Sequence, residues 1–276
     1  MKPIIQPAEL IELMTTPDIV IVDAGESIDY TMQHIKGAVR ADLNTDLANV
    51  PDDAANGGRH PLPDTVSFGQ VLGRLGITPQ SHVVVYDNKG GALAAARFWW
   101  MLKAAGHEKI QVLNGGLTAA VKAGVSLSDL IEIPLPAPLY NFTNWYLPTV
   151  AIEEVETAAV NTESIVIDVR ETSRYLGVNE SIDLVAGHIP GAVNVPFASN
   201  LDADGSFLSP EALQEKYLGV LGSTSPADVI VHCGSGVTAC HTILAFDHAG
   251  LPLPKLYVGS WSEWSRNNKN IATGTA

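Results

Sequence analysis

The stretch DVIVHCGSGVTACHTILAFDHAG, residues 228–250, is the part of the chain around which the rest is organised. Its first residues favour a β-strand that ends at Cys233, and the glycine-rich run 234–236 follows. A helical pattern then covers 237–248 and stops at Gly250, where a left-handed residue is expected. The pattern predicts a strand, a tight loop and a helix, with a cysteine at the carboxyl end of the strand.

Cys233 is placed where a cysteine can be a nucleophile. Glycines let the backbone curl so that successive N–H groups point inward, and the helix N-terminus adds partial positive charge. A thiolate in such a cradle has a lowered pKa and reacts readily. The alternative is a buried structural cysteine beside an ordinary turn, because cysteine is among the most buried residue types. The loop by itself leaves both interpretations open.

Length and composition indicate a globular α/β protein. The 276 residues, 46% of them apolar, suffice for two domains of ordinary size. No apolar run is long enough to cross a bilayer, and residues 1–14 lack the apolar core of a signal peptide. The two cysteines, Cys233 and Cys240, match neither a zinc pair nor a disulfide framework, so we expect a cytoplasmic protein.

The formal net charge of −14 limits the classes of partner. It argues against nucleic acid and anionic membranes, which attract basic surfaces. An anionic substrate would need a local positive pocket, because the overall field repels it.

The two halves of the chain repeat the same order of elements. The matching pairs are IVIVD (19–23) with SIVID (164–168), QHIKGAVRADL (33–43) with GHIPGAVNVPF (187–197), and HVVVYDNKGG (82–91) with DVIVHCGSGV (228–237). We interpret this repeat as a tandem duplication of one α/β domain. The position that matches Cys233 is Asp87, and the second half carries an insertion near 176–185.

The repeat divides the chain into a first domain over 1–125, a proline-rich linker over 126–148 and a second domain over 149–276. A helix over 150–161, capped by Thr149, is predicted to open the second domain. Strands that alternate with helices predict an open, mostly parallel sheet with helices on both faces in each domain. Ligands of such sheets bind beyond the carboxyl ends of the strands.

The loop CGSGVTA (233–239) resembles the active-site loop of the rhodanese superfamily, and more narrowly that of its 3-mercaptopyruvate sulfurtransferase branch. The segments GHIPGA (187–192) and VGSWSEW (258–264) match the superfamily as well. The resemblance implies a non-catalytic first domain and a second domain in which Cys233 takes a sulfane sulfur from a donor. The sulfur is held as a persulfide and passed to cyanide, a thiol or thioredoxin, with no metal or organic cofactor. The expected partners are a small anionic donor and a thiol acceptor, and we expect a monomer.

The resemblance also implies roles for other side chains. Ser235 is expected to donate a hydrogen bond to the substrate and to work with a histidine, here His60 in the segment HPLP (60–63). Arg174 matches the arginine that holds the substrate carboxylate, for which a guanidinium fork is suited. The remaining loop residues predicted to line the substrate site are Gly234, Gly236, Val237 and Thr238.

The chain departs from the family pattern at two places. Asn44 stands where the aspartate of a Ser–His–Asp triad would fall, between Asp42 and Asp46. A second arginine before GHIPGA is missing, because residues 181–184 read Ser-Ile-Asp-Leu. Arg59, next to the candidate histidine, could supply that charge from the first half.

Several other candidates favour structural roles. His188 is expected to bind the backbone, Arg170 to pair with nearby carboxylates, and Cys240 to lie in the core. Trp261 and Trp264 are expected to pack in the core rather than to form a wall of the substrate site.

Three other functions are considered. A cysteine phosphatase needs an arginine where this chain has Ala239, so that function is disfavoured. A non-catalytic sulfur-carrier or regulatory module is a second alternative. A thiosulfate-specific rhodanese is a third, but such enzymes usually carry basic residues where this chain has Gly234 and Ser235. We therefore predict 3-mercaptopyruvate as the donor in preference to thiosulfate.

Overall fold

A computed structural model describes residues 1–275, and the chain divides into two compact units. The first unit consists of Met1–Asn49, Pro63–Leu147 and Ala203–Phe207. The second unit consists of Val50–Leu62, Pro148–Asp202 and the chain from Leu208 onward. The sequence predicts uninterrupted domains over 1–125 and 149–276 with a linker over 126–148, whereas the observed units exchange two short segments and the first unit includes the linker as far as Leu147.

Short strands and helices alternate along the first unit. The strands are β1 (Ile4–Ile5), β2 (Ile19–Asp23), β3 (His34–Ile35), β4 (Val39–Arg40), β5 (His82–Tyr86), β6 (Ile110–Leu113) and β7 (Leu127–Ser128). The helices are α1 (Pro7–Leu13), α2 (Ser27–Met32), α3 (Thr65–Arg74), α4 (Ala94–Ala104) and α5 (Gly116–Lys122). A parallel sheet has the strand order β1-β6-β5-β2-β4, and β3 pairs with β7 in the antiparallel sense.

The second unit repeats this plan with fewer strands. The strands are β8 (Ile165–Asp168), β9 (Val193–Asn194), β10 (Val229–His232) and β11 (Lys255–Leu256). The helices are α6 (Ile152–Ala158), α7 (Thr172–Tyr175), α8 (Pro210–Leu221), α9 (Thr238–His248) and α10 (Ser260–Trp264), with 3-10 turns at Phe197–Asn200 and Pro226–Asp228. The sheet is parallel, in the order β11-β10-β8-β9.

The central strands are buried because their apolar residues are continuous rather than alternating. Strand β10 reads VIVH and is buried at every position, as is expected of a parallel strand with both faces covered. Trp261 and Trp264 pack into the core of the second unit with Val166 and Ile230. The predicted α/β class, with parallel sheets flanked by helices, is confirmed, and so is the core position of both tryptophans.

The strand, loop and helix of residues 228–250 form as predicted. Strand β10 ends one residue before Cys233, and α9 is followed by Gly250 at φ +70°. The predicted start of the second domain is wrong in detail. Helix α6 begins at Ile152, and its flanking Ala151 amide donates to the Glu154 side chain at 3.2 Å. Thr149 is held extended by a parallel bridge to Leu256 and cannot cap the helix.

Each unit contains the same stacked tyrosine and histidine. The ring centroids are 3.9 Å apart for Tyr30 and His34, and 3.8 Å apart for Tyr175 and His188. Each histidine Nδ1 bonds the carbonyl oxygen of its own tyrosine, at 2.7 and 2.8 Å. His188 therefore has the structural role that the sequence predicts, and the pair aligns the two copies of the duplication.

The proline-rich segment lies along the first unit. Its Ala137 amide donates to the carbonyl oxygen of Gly73 at 2.8 Å, and Phe142 and Trp145 contact the ring of Phe68. Within residues 1–275, no helix has both the length and the apolar character that crossing a membrane requires.

Candidate active site

Cys233 lies directly beyond the carboxyl end of β10, between the ends of β8 and β11. Its amide donates to Ser260 Oγ at 3.1 Å, and its carbonyl oxygen accepts from the Trp261 amide at 3.0 Å. The thiol is free, and the residue is only 1% exposed. Hydrogen bonds of its main chain thus hold Cys233 at the edge of the sheet where ligands bind, almost entirely out of contact with solvent.

The loop that joins Cys233 to α9 is tight at Gly236. This residue has φ +72°, and its Cα approaches the main chain of Val258 so closely that any Cβ would overlap it. Its carbonyl oxygen accepts a hydrogen bond from Cys240 Sγ at 3.3 Å, which agrees with the expected core position of that second cysteine. Helix α9 then begins with Val237 as its flanking residue and Thr238 as its first residue.

Gly234 faces charged side chains. A Cβ built on it would lie 3.2 Å from Arg59 Nη2, 3.5 Å from Asp183 Oδ2 and 3.6 Å from Arg174 Nη1. The absence of a side chain therefore lets these groups approach the main chain next to Cys233. Three charged side chains thus lie next to the residue that follows Cys233.

The matching loop of the first unit already holds an anion on its amides. The carboxylate of Asp87 accepts hydrogen bonds from the amides of Lys89 and Gly91 at 2.8 Å, Leu93 at 3.0 Å and Ala95 at 3.2 Å. Burial raises the pKa of Asp87, while these hydrogen bonds act in the opposite direction. This loop geometry suits a buried anion, and the corresponding cradle for Cys233 stays a prediction.

His60 and Ser235 lie in contact. His60 Nδ1 is 2.8 Å from Ser235 Oγ, and Ser235 is buried. The segment that carries His60 belongs to the second unit, where the Arg59 amide donates to Ser262 Oγ at 3.0 Å. A hydroxyl and an imidazole in hydrogen-bond contact can relay a proton. The sequence assigned this segment to the first domain because of its place in the chain.

Arg174 lies on α7, just beyond the end of β8. It binds both carboxylate oxygens of Glu180 through Nη2 at 2.8 and 3.0 Å, and it pairs with Asp183 at 3.0 Å. Burial acts to lower the pKa of Arg174, but Glu180, Asp183 and Cys233 together raise it. The predicted anion-binding arginine therefore lies beside the loop with its fork already occupied by carboxylates.

Asp183 is a site residue that sequence reasoning missed. Its side chain is completely buried and pairs with Arg59, with Arg174 at 3.0 Å and with Arg266 at 3.5 Å. From the sequence, residues 181–184 show only that a basic residue is missing from this segment. The acidic residue in this segment was a signal that could have identified Asp183 as a partner for a distant arginine. Arg59 is such a partner, since it pairs with Asp183.

Arg170 pairs with a buried carboxylate at the carboxyl end of β8. It binds both oxygens of Asp168, with the shortest contact 2.5 Å, and its guanidinium lies 4.6 Å from the ring centre of Trp261. Burial opposes ionisation of Asp168, but His232 and Arg170 hold its pKa below the usual range. Arg170 is therefore a structural partner of carboxylates, as the sequence predicts.

Asn44 lies in the first unit, where its amide donates to Asp42 Oδ1 at 2.8 Å. The flanking Asp42 pairs with Arg40 at 2.7 Å, and Asp46 pairs with Arg74 at 2.6 Å. Both carboxylates thus pair with arginines of their own unit. In the part of the chain that the structure describes, no group of three or more His, Cys, Asp or Glu side chains is arranged to hold a metal ion.

Comparison with known proteins agrees with this geometry. The rhodanese-like domain matches the chain twice, over residues 6–123 and 151–267. A Pseudomonas aeruginosa protein named "Probable 3-mercaptopyruvate sulfurtransferase" is 36% identical over 96% of each chain. The thiosulfate sulfurtransferase of Rattus norvegicus is 36% identical over 86% of this chain and 79% of its own.

Among solved structures, the 3-mercaptopyruvate sulfurtransferase from Leishmania major superimposes with a TM-score of 0.83. It is 32% identical, and the match covers 96% of this chain and 74% of that one. A family match in both halves and relatives of this similarity leave one assignment: the chain belongs to the rhodanese family of sulfurtransferases, with two rhodanese-like domains in tandem.

Proposed function

We propose that this sulfurtransferase takes a sulfane sulfur from 3-mercaptopyruvate, holds it as a persulfide on Cys233 and passes it to a thiophilic acceptor. The observation that carries the choice of donor is the 2.8 Å contact between His60 Nδ1 and Ser235 Oγ, two residues along the loop from Cys233. This donor, unlike thiosulfate, leaves behind a carbon that must be protonated.

The first half-reaction needs both a nucleophile and a proton path. The Cys233 thiolate attacks the donor sulfur, an S–S bond forms, and the C–S bond breaks with its electron pair left on carbon. The resulting enolate of pyruvate takes up the proton that the donor thiol gives up, by way of Ser235 and His60. The products are the Cys233 persulfide anion and pyruvate, so atoms and charge balance.

The donor carboxylate is proposed to bind Arg174, with Arg59 as the second positive group beside Gly234. A guanidinium fork matches a carboxylate in shape and charge. Arg59 then supplies the charge for which the sequence shows no arginine in residues 181–184. Gly236, Val237 and Thr238 complete the loop against which the donor lies.

The second half-reaction transfers the outer sulfur. Cyanide attacks the persulfide and leaves as thiocyanate, or a thiol leaves as its own persulfide, and in both cases the Cys233 thiolate is restored. Thioredoxin is a candidate thiol acceptor. A reducing cytoplasm suits this chemistry, because Cys233 and Cys240 are free thiols. We propose that the working form is a monomer.

Thiosulfate is the second candidate donor. The relative from Rattus norvegicus carries that name at 36% identity, and sulfite leaves as a stable anion without a proton. The loop, however, offers Gly234 and Ser235 rather than basic side chains to the outer oxygens of thiosulfate.

Mass spectrometry of the intact protein tests the persulfide. After mixing with 3-mercaptopyruvate, we expect a gain of one sulfur that maps to the Cys233 peptide and is lost in Cys233→Ser. Cys240→Ser is the matched control and should still gain it, because Cys240 lies in the core. No gain from either donor would favour a non-catalytic carrier or regulatory module.

Steady-state kinetics with cyanide as the common acceptor tests the choice of donor. We expect a higher kcat/KM for 3-mercaptopyruvate than for thiosulfate. A clear preference for thiosulfate would overturn the assignment of the donor while leaving Cys233 as the nucleophile.

A further inference from the structure

The buried carboxylate of Asp183 has no part in the chemistry described above, yet it lies at the centre of the cationic cluster. It pairs with Arg59, Arg174 and Arg266, and its Oδ2 is 3.5 Å from a Cβ built on Gly234. This is the place beside the loop that the carboxylate of an anionic donor would occupy.

The positive charges of the cluster are already nearly balanced by carboxylates. The guanidinium groups of Arg59, Arg174, Arg266 and Arg170 face the carboxylates of Glu180, Asp183 and Asp168, so four positive charges meet three negative ones and one positive charge is left. A thiolate at Cys233 would balance it. A donor carboxylate added to this cluster would therefore be a like charge beside Asp183 unless Asp183 leaves.

Asp183 lies in residues 179–185, which we name the latch segment. This segment exposes its apolar side chains and buries a charged one, the reverse of what is usual in a loop. Ile182 is 57% exposed and Leu184 is 71% exposed, whereas the side chain of Asp183 between them is completely buried. Apolar side chains normally provide the anchorage of a loop. Here the anchorage comes from ion pairs.

Glu180, which belongs to the latch segment, adds ion pairs with Arg174 at 2.8 Å and with Arg170 at 3.5 Å, and hydrogen bonds hold the rest of the segment. The amides of Ile182 and Asp183 donate to Glu180 Oε1 at 3.0 Å, and the carbonyl oxygen of Val185 accepts from Trp261 Nε1 at 2.9 Å. The contacts described for this segment are thus ion pairs and hydrogen bonds, and outward movement requires that a bound ligand replace the ion pairs of Asp183.

We propose that Asp183 is a resident anion that holds the arginine cluster while the site is empty, and that a donor carboxylate binds by displacing it as the latch segment moves outward. Asp183 is then a specificity-determining residue, because only a ligand that competes with its carboxylate for the arginines gains entry. Outward movement of the latch segment is also the proposed route by which a donor reaches Cys233, which is 1% exposed. The identity of the donor rests on the proposed function, but the displacement by a carboxylate does not.

Displacement has a cost that a variant can remove. When the binding-competent state is a minor one, the apparent dissociation constant equals the intrinsic one divided by the fraction of molecules in that state, and so it is larger. Asp183→Asn keeps the shape of the side chain and removes the competing charge. It should therefore bind carboxylate ligands more tightly than the wild-type protein.

Calorimetric titration with pyruvate, an oxoacid without the transferable sulfur, tests this directly. We expect the Kd for pyruvate to fall by about 10-fold in Asp183→Asn. Glu163→Gln is the matched control, because it removes an exposed carboxylate of the same unit, and its Kd should equal that of the wild type. Pyruvamide, which lacks the charge, should show no difference between Asp183→Asn and wild type.

Hydrogen exchange on the wild-type protein provides a test that needs no variant. Saturating pyruvate should speed exchange in peptides that cover 181–185. The KM for 3-mercaptopyruvate should also fall in Asp183→Asn by a larger factor than kcat changes. Unchanged or weaker pyruvate binding by a folded Asp183→Asn, or slower exchange in the latch segment, would overturn the displacement. Failure of the wild type to acquire sulfur would overturn only the proposed function.

Discussion

The loops after β5 and β10 occupy the same place in two copies of one fold but present different groups. In the first unit, Asp87 places its own carboxylate on four loop amides and is permanently satisfied. In the second unit, Cys233 presents a sulfur that can form and break a covalent bond. A carboxylate in this position stabilises the loop, whereas a thiol in the same position is proposed to accept a sulfur from the donor and to pass it on.

The residues that face these two loops differ in charge as well. Tyr30 and Tyr175 are equivalent, because each stacks on the histidine of its own unit, and the residues that precede them are Asp29 and Arg174. Asp29 accepts a hydrogen bond from Asn88 in the first loop. Arg174 instead faces Gly234 in the second. The proposed donor site of the second unit thus differs from the matching place in the first by a reversal of charge and by the loss of the side chain next to the loop.

Replacement of Cys233 by Asp, which copies the first loop into the second, should give the largest effect. We expect complete loss of sulfur uptake from 3-mercaptopyruvate, because a carboxylate cannot form a persulfide, and a fold that is retained. Mass spectrometry and circular dichroism measure the two outcomes. The reciprocal Asp87→Cys should acquire no sulfur, since the residue of that unit equivalent to Arg174 is Asp29; uptake there would break the comparison.

The proposed proton path runs through His60 and Ser235 of the second unit, and His60→Ala tests it. We expect turnover with 3-mercaptopyruvate to fall by ~10²–10⁴-fold, the usual range for loss of a general acid or base. Turnover with thiosulfate should fall much less, because sulfite needs no proton to leave. An equal loss with both donors would assign His60 to the support of the loop rather than to proton transfer.

Arg174→Ala removes the charge that distinguishes the second loop from the first. Loss of a charge-assisted bidentate contact should cost about 2–4 kcal/mol of transition-state stabilisation. This cost is measured as a fall in kcat/KM for 3-mercaptopyruvate. Arg74→Ala is a suitable control, because Arg74 is a half-exposed arginine paired with Asp46 in the first unit. Unchanged kcat and KM would remove Arg174 from the donor site.

Local sequence patterns were sufficient to predict the scaffold. The valine and isoleucine runs, the glycines at 234–236 and Gly250 act within a few residues of themselves, so strand, loop and helix could be located. The duplication followed from the repeated order of elements, and the backbone role of His188 followed from its place in the chain-turning segment GHIPGA. Thr149 was misassigned as a cap because its bridge to Leu256 is not a local feature.

The arrangement of the arginine cluster was not predictable in the same way. Arg59, Arg174 and Arg266 come from three distant parts of the chain and meet at one carboxylate. Residues 181–185 have no periodic pattern, and hydrophobicity alone would bury Ile182 and Leu184 and expose Asp183. The opposite orientation depends on charges that only the tertiary structure brings together.

The smallest effect is expected from Asp87→Asn, which tests whether the first loop needs a full carboxylate. Two amides donate to each oxygen of Asp87, so either orientation of an asparagine would point its NH₂ group at two N–H donors. We expect the free energy of unfolding to fall by about 2 kcal/mol, the cost of leaving buried donors unsatisfied. Urea denaturation measures this change, with the exposed Asp18→Asn as the control in the same unit. Sulfur uptake at Cys233 should persist, since the carboxylate of the first loop is structural. An Asp87→Asn protein of unchanged stability would show that the amides of the first loop do not require an anion. The amides around Cys233 would then lose their argument from the first loop as well.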